Sequence, residues 1–372
     1  MKKLYPAKSL LLITLSFLLF TVTSCKKVNK VTPTPPVVDA TPTQIGLYEA
    51  DSSIYKLLFA DISKIGNNTQ EYDLIFDTGS GGMVIDANGL LPASMITDNG
   101  FTFTGDSTIV NGITVTNQKS TVEYGDDDAT TDKVYGNLAY ASVTVGNQSG
   151  NIVIKRLPFF IYYKAVDSKN VKFDVHEFDT FGVSPEYDIS FPNNAYITSP
   201  FSYFDPGTGL TKGFKMAALG TSNFTNDGNY VQDALTLGLT ASDLSSTSGF
   251  ITNQLSFYSG DGYPPIIPGT ITYSNNIVST SIVFDTGTEP YGYIEDPSFN
   301  GNTTLLAANT PITYATTTGF SYSVVTSTND NLTYVENPNT SGGVVSIASL
   351  EFFLNNEYML NYESHTIGLK NN

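Results

Sequence analysis

Sulfur, indole and imidazole are nearly missing from this chain. Of its 372 residues, one is Cys, none is Trp and two are His. A single Cys excludes an internal disulfide, so the fold must rest on its own core. With only His176 and His365 present, a Ser-His-Asp triad would have to use one of them, and no Gly-x-Ser-x-Gly turn occurs. Neither His has the partner spacing of a zinc site. No Walker-type Gly-Lys-Ser/Thr is present, which excludes the usual phosphate loop. Gly125-Asp126-Asp127-Asp128 and Asn226-Asp227-Gly228 offer oxygen ligands, but neither fits an EF-hand loop. No metal and no cofactor is expected.

Positive charge is also scarce. Lys and Arg total 18 against 35 Asp and Glu, a formal charge of −17. Phosphate binding needs a basic face, so the balance argues against nucleic acid as a partner. Charged residues are only 14% of the chain and hydrophobic ones 40%, with 23 Tyr and 23 Phe. No long stretch has a helical period. Abundant Thr, Ser, Asn and Gly with many aromatics is the composition of a strand-rich extracellular protein. The length suits one large domain or two ordinary ones.

A long apolar run is missing too. Leu10–Phe20 follows the basic Lys2 and Lys3 and is short for a membrane span. Val22-Thr23-Ser24-Cys25 then resembles the lipobox of bacterial lipoproteins, in which cleavage before the Cys precedes acylation. An ordinary secretory peptide with an incidental Cys is the alternative. Residues 1–24 are thus expected to be a lipoprotein signal peptide, with Cys25 as the lipidation site. Residues 25–44, with Thr32-Pro33-Thr34-Pro35-Pro36, form a tether too poor in apolar residues for a core. An acylated Cys25 would anchor the chain without a spanning helix, at the bacterial cell envelope and facing the periplasm or the exterior.

From about Gly46 short alternating segments are broken by Gly, Asn and Asp. Strands are expected at Tyr55–Ile65, Tyr72–Phe76, Gly112–Tyr124, Asn137–Val145, Ile152–Tyr162, Ala234–Leu239, Ile251–Tyr258, Thr270–Tyr273, Ser281–Phe284, Tyr322–Val325 and Gly343–Ile347. Helices are expected only near Pro200–Phe204 and Ser349–Asn355. One long-range repeat stands out. Leu74-Ile75-Phe76-Asp77-Thr78-Gly79-Ser80 returns as Ile282-Val283-Phe284-Asp285-Thr286-Gly287-Thr288, 208 residues later. A period of domain size suggests two related lobes, at 45–210 and 211–372, each supplying one copy.

Each copy delivers a carboxylate at the end of a buried strand. Gly79 and Gly287 let the backbone turn and can donate N–H groups to the carboxylates. Thr78 and Thr286 can bond across the lobes, and Ser80 and Thr288 can donate to the outer carboxylate oxygens. Two carboxyls held this close share a proton and titrate in separate steps. One can then serve as base and the other as acid on a single water.

These residues resemble the pepsin-like aspartic peptidases over most of residues 46–369. Val122-Glu123-Tyr124-Gly125 is similar to that family's flap, which places Tyr124 and Gly125 over the substrate. Phe178-Asp179-Thr180-Phe181-Gly182-Val183 resembles the segment that crosses behind the first Asp. Phe352–Tyr362 and Ile367-Gly368-Leu369 are similar to the C-terminal strands. The resemblance implies an all-β, bilobal fold with a central cleft. It also implies an aspartic endopeptidase that hydrolyses peptide or protein substrates with a water activated between Asp77 and Asp285. A monomer is expected. Some positions depart from the family pattern. Val84 falls near the usual Trp, Glu289-Pro290 follows the second loop, and Ser349 stands where the second crossing segment has Gly. These departures support an alternative, a non-catalytic binding lipoprotein on the same fold.

Overall fold

Alternation of apolar with hydroxyl or amide side chains drives this chain into strands. The computed structural model describes residues 40–372 except 53–54, 126–130, 221–227, 289–290, 329–331 and 343–344. The signal peptide, Cys25, most of the tether, Asp126–Asp128, Asn226-Asp227 and Glu289-Pro290 lie outside the described residues. Ile267–Tyr273 shows the rule. It buries Ile267, Ile271 and Tyr273 and turns Pro268 to solvent. Gly81–Asp86 breaks the alternation and is buried throughout. It pairs on both edges, parallel with Phe160–Tyr162 and antiparallel with Thr180–Val183, and its two faces pack into separate buried clusters, Met83 and Ile85 in one and Val84 in the other.

Among the described residues, fourteen strands form one sheet and eight form a second. The fold is all-β and bilobal, as the repeat predicts. The same crossing occurs in each lobe. In the first, Tyr72–Asp77 runs parallel to Thr180–Val183, with Phe76 opposite Phe181 and Asp77 opposite Gly182. In the second, Asn276–Phe284 runs parallel to Ser346–Ala348, with Phe284 opposite Ala348. A bridging set joins them. Thr43–Ser52 pairs with Asn229–Leu239, which continues through Thr211–Met216 and Asn356–Asn361 to Thr366–Asn371. Thr43–Ser52 lies inside the sheet, between Asn229–Leu239 and Tyr55–Ile65, and it starts inside the expected tether. Thr43 and Gln44 pair with Leu237 and Thr236, because Ile45 and Leu47 just beyond them are buried in the core.

Under the two Asp-Thr-Gly loops runs a chain of buried rings. Phe76, the residue before Asp77, meets Phe214 edge-on at 6.2 Å, and Phe214 meets Tyr358 at 6.0 Å. Tyr358 meets Phe353 at 5.6 Å, Phe353 meets Phe352 at 4.9 Å, and Phe352 meets Phe284 at 4.5 Å. Phe284 is the residue before Asp285. All six rings belong to one contiguous core. Such ring pairs add about 0.5–1.5 kcal/mol each beyond their area burial. The two loops therefore stand on a single continuous floor.

One core position is out of character. Glu49 on Thr43–Ser52 is fully buried, and neither carboxylate oxygen has a hydrogen-bond partner among the described residues. Burial pushes its carboxyl up from the ordinary 4.5 to about 7. The folded state holds a proton that the unfolded chain releases, so stability is full below pH 4.5 and falls as pH rises through 7. At 1.36 kcal/mol per unit the loss approaches about 3 kcal/mol by pH 8. Glu49→Met is expected to remove this slope and to stabilise the protein at pH 8 by a similar amount. Urea unfolding at pH 4.5 and pH 8 checks it; a wild-type slope unchanged in the variant would refute the assignment.

Candidate active site

The two loops are locked to each other by their threonines. The Thr78 N–H donates to Thr286 Oγ1 at 3.1 Å, and the Thr286 N–H donates to Thr78 Oγ1 at 3.1 Å. Each hydroxyl also donates onward, Thr78 Oγ1 to the Phe284 carbonyl at 2.8 Å and Thr286 Oγ1 to the Phe76 carbonyl at 2.6 Å. Both threonines are buried. Each side chain accepts from one loop and donates to the strand end that carries the other Asp.

Above this lock the carboxyls cross over. A Cβ on Gly79 would fall 2.5 Å from Asp285 Cγ, and one on Gly287 would fall 2.6 Å from Asp77 Cγ. Any other residue at either position would displace the opposite carboxyl. Asp77 accepts from the Gly79 N–H at 2.7 Å, the Ser80 N–H at 3.1 Å and the Ser80 hydroxyl. Asp285 accepts from the Gly287 N–H at 2.7 Å and from Thr288 Oγ1 at 2.6 Å. The two carboxyls are hydrogen-bonded to each other. Desolvation first, and then the charge of Asp77, holds the Asp285 carboxyl well above its usual range. One proton therefore stays shared by the pair above the ordinary carboxyl range.

The cleft around the pair has a volume of about 1000 Å³ and is lined from both lobes. Its flap is the hairpin of Ile113–Tyr124 and Asp132–Asn147, with Tyr124 opposite Asp132. Tyr124 and Gly125 both line the cleft. The Tyr124 ring packs on Phe178 at 5.1 Å and its hydroxyl faces Thr180, whose own hydroxyl donates to the Phe178 carbonyl at 3.3 Å. Burial, then the charges of Asp188 and Asp77, keep that hydroxyl neutral. The Trp that the family resemblance leads one to expect is absent. Val84 is instead buried in a small cluster with Val122 and Phe160, and Tyr124 packs at its edge. Thr180 and Phe178 hold the tyrosine in its place.

Of the sequence-derived dyad and flap residues, Asp77, Gly79, Ser80, Asp285, Gly287, Thr288, Tyr124 and Gly125 line one cleft, while Thr78 and Thr286 are buried between the two loops. Ser349 follows directly on the pairing of Phe284 with Ala348, at the place that Gly182 takes in the first lobe, and it is buried. The histidines stand apart. His176 bonds Asp179 at 2.7 Å and the Asn88 carbonyl at 2.9 Å, and His365 stacks on Tyr263. Sequence reasoning missed Glu186 and Asp188, which line the cleft. Their one signal is two acids in Ser184-Pro185-Glu186-Tyr187-Asp188, right after the crossing segment.

No family model matches the chain, and no curated protein matches it. Among solved structures it is similar to an aspartic proteinase from Irpex lacteus, with a TM-score of 0.58. The likeness covers 89% of this chain and 97% of that one, at 17% identity. That likeness carries the fold, which is the bilobal pepsin-like one.

The Thr180 contact can be tested without a substrate. In Thr180→Val, loss of one hydrogen bond worth about 1 kcal/mol should speed amide exchange at Val122–Gly125 roughly five-fold. Amides of Tyr72–Asp77 should keep their rates. Equal flap protection in both proteins would exclude Thr180 as the anchor.

Proposed function

We propose that the protein is an aspartic endopeptidase that cleaves peptide bonds without a covalent intermediate. The observation that carries this reading is the crossed carboxyl pair, each Asp seated on the other loop's glycine and sharing one proton. A water between the two would meet a base in Asp77, which accepts three hydrogen bonds and is thereby oriented. It would meet an acid in Asp285. Asp77 takes the proton of the attacking water while Asp285 gives its proton to the scissile carbonyl oxygen. The departing amine then collects a proton from the pair. Tyr124 closes the flap over the peptide.

The acid must be protonated, so activity should persist above the ordinary 3.8 of an Asp carboxyl and fall as pH rises through the raised value of Asp285. Asp77→Asn and Asp285→Asn should each lower kcat/KM by roughly a thousand-fold or more. A peptide-library digest from pH 3 to 7, with and without pepstatin, measures both. Turnover retained in either variant would sink the mechanism. Peptide binding without turnover by the wild type would instead favour a non-catalytic binding protein, the reading to which the absent Trp and Ser349 point.

We also propose that the mature chain is a monomer tethered through lipid on Cys25 at the bacterial envelope. The support is Val22-Thr23-Ser24-Cys25 after a short apolar run. A fatty-acid analogue fed to expressing cells should label the wild type and not Cys25→Ser, and the variant should leave the membrane fraction. Equal labelling of both would refute the anchor.

A further inference from the structure

Besides the dyad, five carboxyls line the cleft: Glu123, Asp132, Glu186, Asp188 and Glu336. No Lys, Arg or His lines it among the described residues. Two of the five are already engaged. Glu123 pairs with Lys133 at 2.9 Å, and Glu336 accepts from Thr303 Oγ1 at 2.9 Å. Glu186 and Asp188 differ. They hydrogen-bond each other, and buried Glu186 Oε1 has no partner among the described residues. A buried carboxyl oxygen left unbonded is costly, and an incoming cationic donor would recover that cost.

Their position is fixed from two sides. The Gly81 N–H, four residues past Asp77, donates to Asp188 Oδ2. The Ser184 N–H donates to the Ser80 carbonyl at 2.8 Å, and the Glu186 N–H to Ser184 Oγ at 3.3 Å. On the outer side the Tyr187 N–H donates to the Asp261 carbonyl at 2.8 Å, and its ring stacks on Tyr196 at 3.8 Å. The segment is thus bolted to the first catalytic loop and cannot swing its acids to solvent without breaking those bonds.

We infer that Glu186 and Asp188 form a subsite for a Lys or Arg side chain of the bound peptide, beside the scissile bond. This rests on the peptide-binding part of the function proposed above. An ammonium or guanidinium there satisfies Glu186 Oε1 and meets a cleft whose free charges are all negative. Preorganised charge-assisted bonds of this kind separate a cationic side chain from its neutral isostere by roughly tenfold or more.

The preference must grow with pH. Asp188 keeps open surface toward the cleft, yet the surrounding walls desolvate it and push its carboxyl up to about 7. Burial holds Glu186 well above the usual range. The groups facing the pair are Asp77 and Asp285 toward Glu186, Asp261 toward Asp188, and the hydroxyls of Tyr124 and Tyr358. None supplies a positive charge. At pH 4 the pair is neutral; near pH 7 it begins to ionise and attracts a cation.

The test uses statine peptides with Lys or norleucine placed in turn at each position flanking the statine. Dissociation constants are read by calorimetry at pH 7 and pH 4. At one position the Lys peptide should bind roughly tenfold tighter at pH 7. That ratio should fall to about one at pH 4 and in the Glu186→Gln/Asp188→Asn protein. Equal binding of Lys and norleucine at every position, or a Lys preference that survives the double substitution, overturns the subsite. Turnover is scored separately. A Lys preference in binding without cleavage keeps the subsite and sinks the peptidase reading. Cleavage without any Lys preference does the reverse.

Discussion

Everything about the site depends on two threonine hydroxyls. Each accepts an N–H from the opposite loop and donates to the carbonyl that precedes the opposite Asp. Only a short side chain that both donates and accepts can do this, and it must be buried so that water does not compete. Losing either hydroxyl strands a buried N–H and a buried carbonyl, each costing about 1–3 kcal/mol. The geometric loss is larger than the energetic one. The shared proton exists because the carboxyls are held together against their repulsion, and the threonines do the holding.

The lock is useful only on a rigid base. The ring chain from Phe76 through Phe214, Tyr358, Phe353 and Phe352 to Phe284 supplies it, because it joins the two strand ends by close-packed contacts rather than by loops. The residue before each Asp is therefore constrained twice, by its ring below and by its carbonyl above. The two lobes differ one step behind this. Gly182 is required in the first, since a Cβ there would fall 2.6 Å from the Ser80 carbonyl oxygen. The second lobe accommodates Ser349 at the corresponding place. The repeat is close where the loops meet and looser where each lobe packs on itself.

That division decides what could be read from sequence. The dyad was legible because its determinants are contiguous: three apolar residues, Asp-Thr-Gly and a hydroxyl, twice. Strand existence was legible, but extent was not. The segment expected at Asn137–Val145 is part of Asp132–Asn147, and that at Ile152–Tyr162 part of Gly150–Val166. Their added ends pair with each other, Ala165 with Val134 and Val166 with Lys133, and Val134, Ala165 and Val166 are buried. Ile251–Tyr258 went the other way and ends at Gln254. The Pro200–Phe204 helix is a single tight turn over Pro200–Tyr203 capped by Ser199. Thr180 as the anchor of Tyr124 was illegible, since the contact is made only when the crossing segment lies beside Asp77. Glu186 and Asp188 were illegible for the same reason, being two acids in a loop until Gly81 reaches them.

The acidity of the cleft then acquires a cause and a consequence. Several carboxyls converge there with no described cation among them, and Asp188, Asp77 and Asp285 add to the cost of ionising Glu186 as Asp77 does for Asp285. The site relieves this by keeping protons: on Asp285 through desolvation and Asp77, and on Glu186 through burial and Asp188. A proton held on the dyad is the acid that the proposed peptide hydrolysis would use. A proton held at Glu186 and Asp188 is a placeholder that a cationic side chain can replace. Repulsion at Glu186 and the dyad thus serves two proposed ends at once, poising the dyad and reserving a place for positive charge on whatever enters.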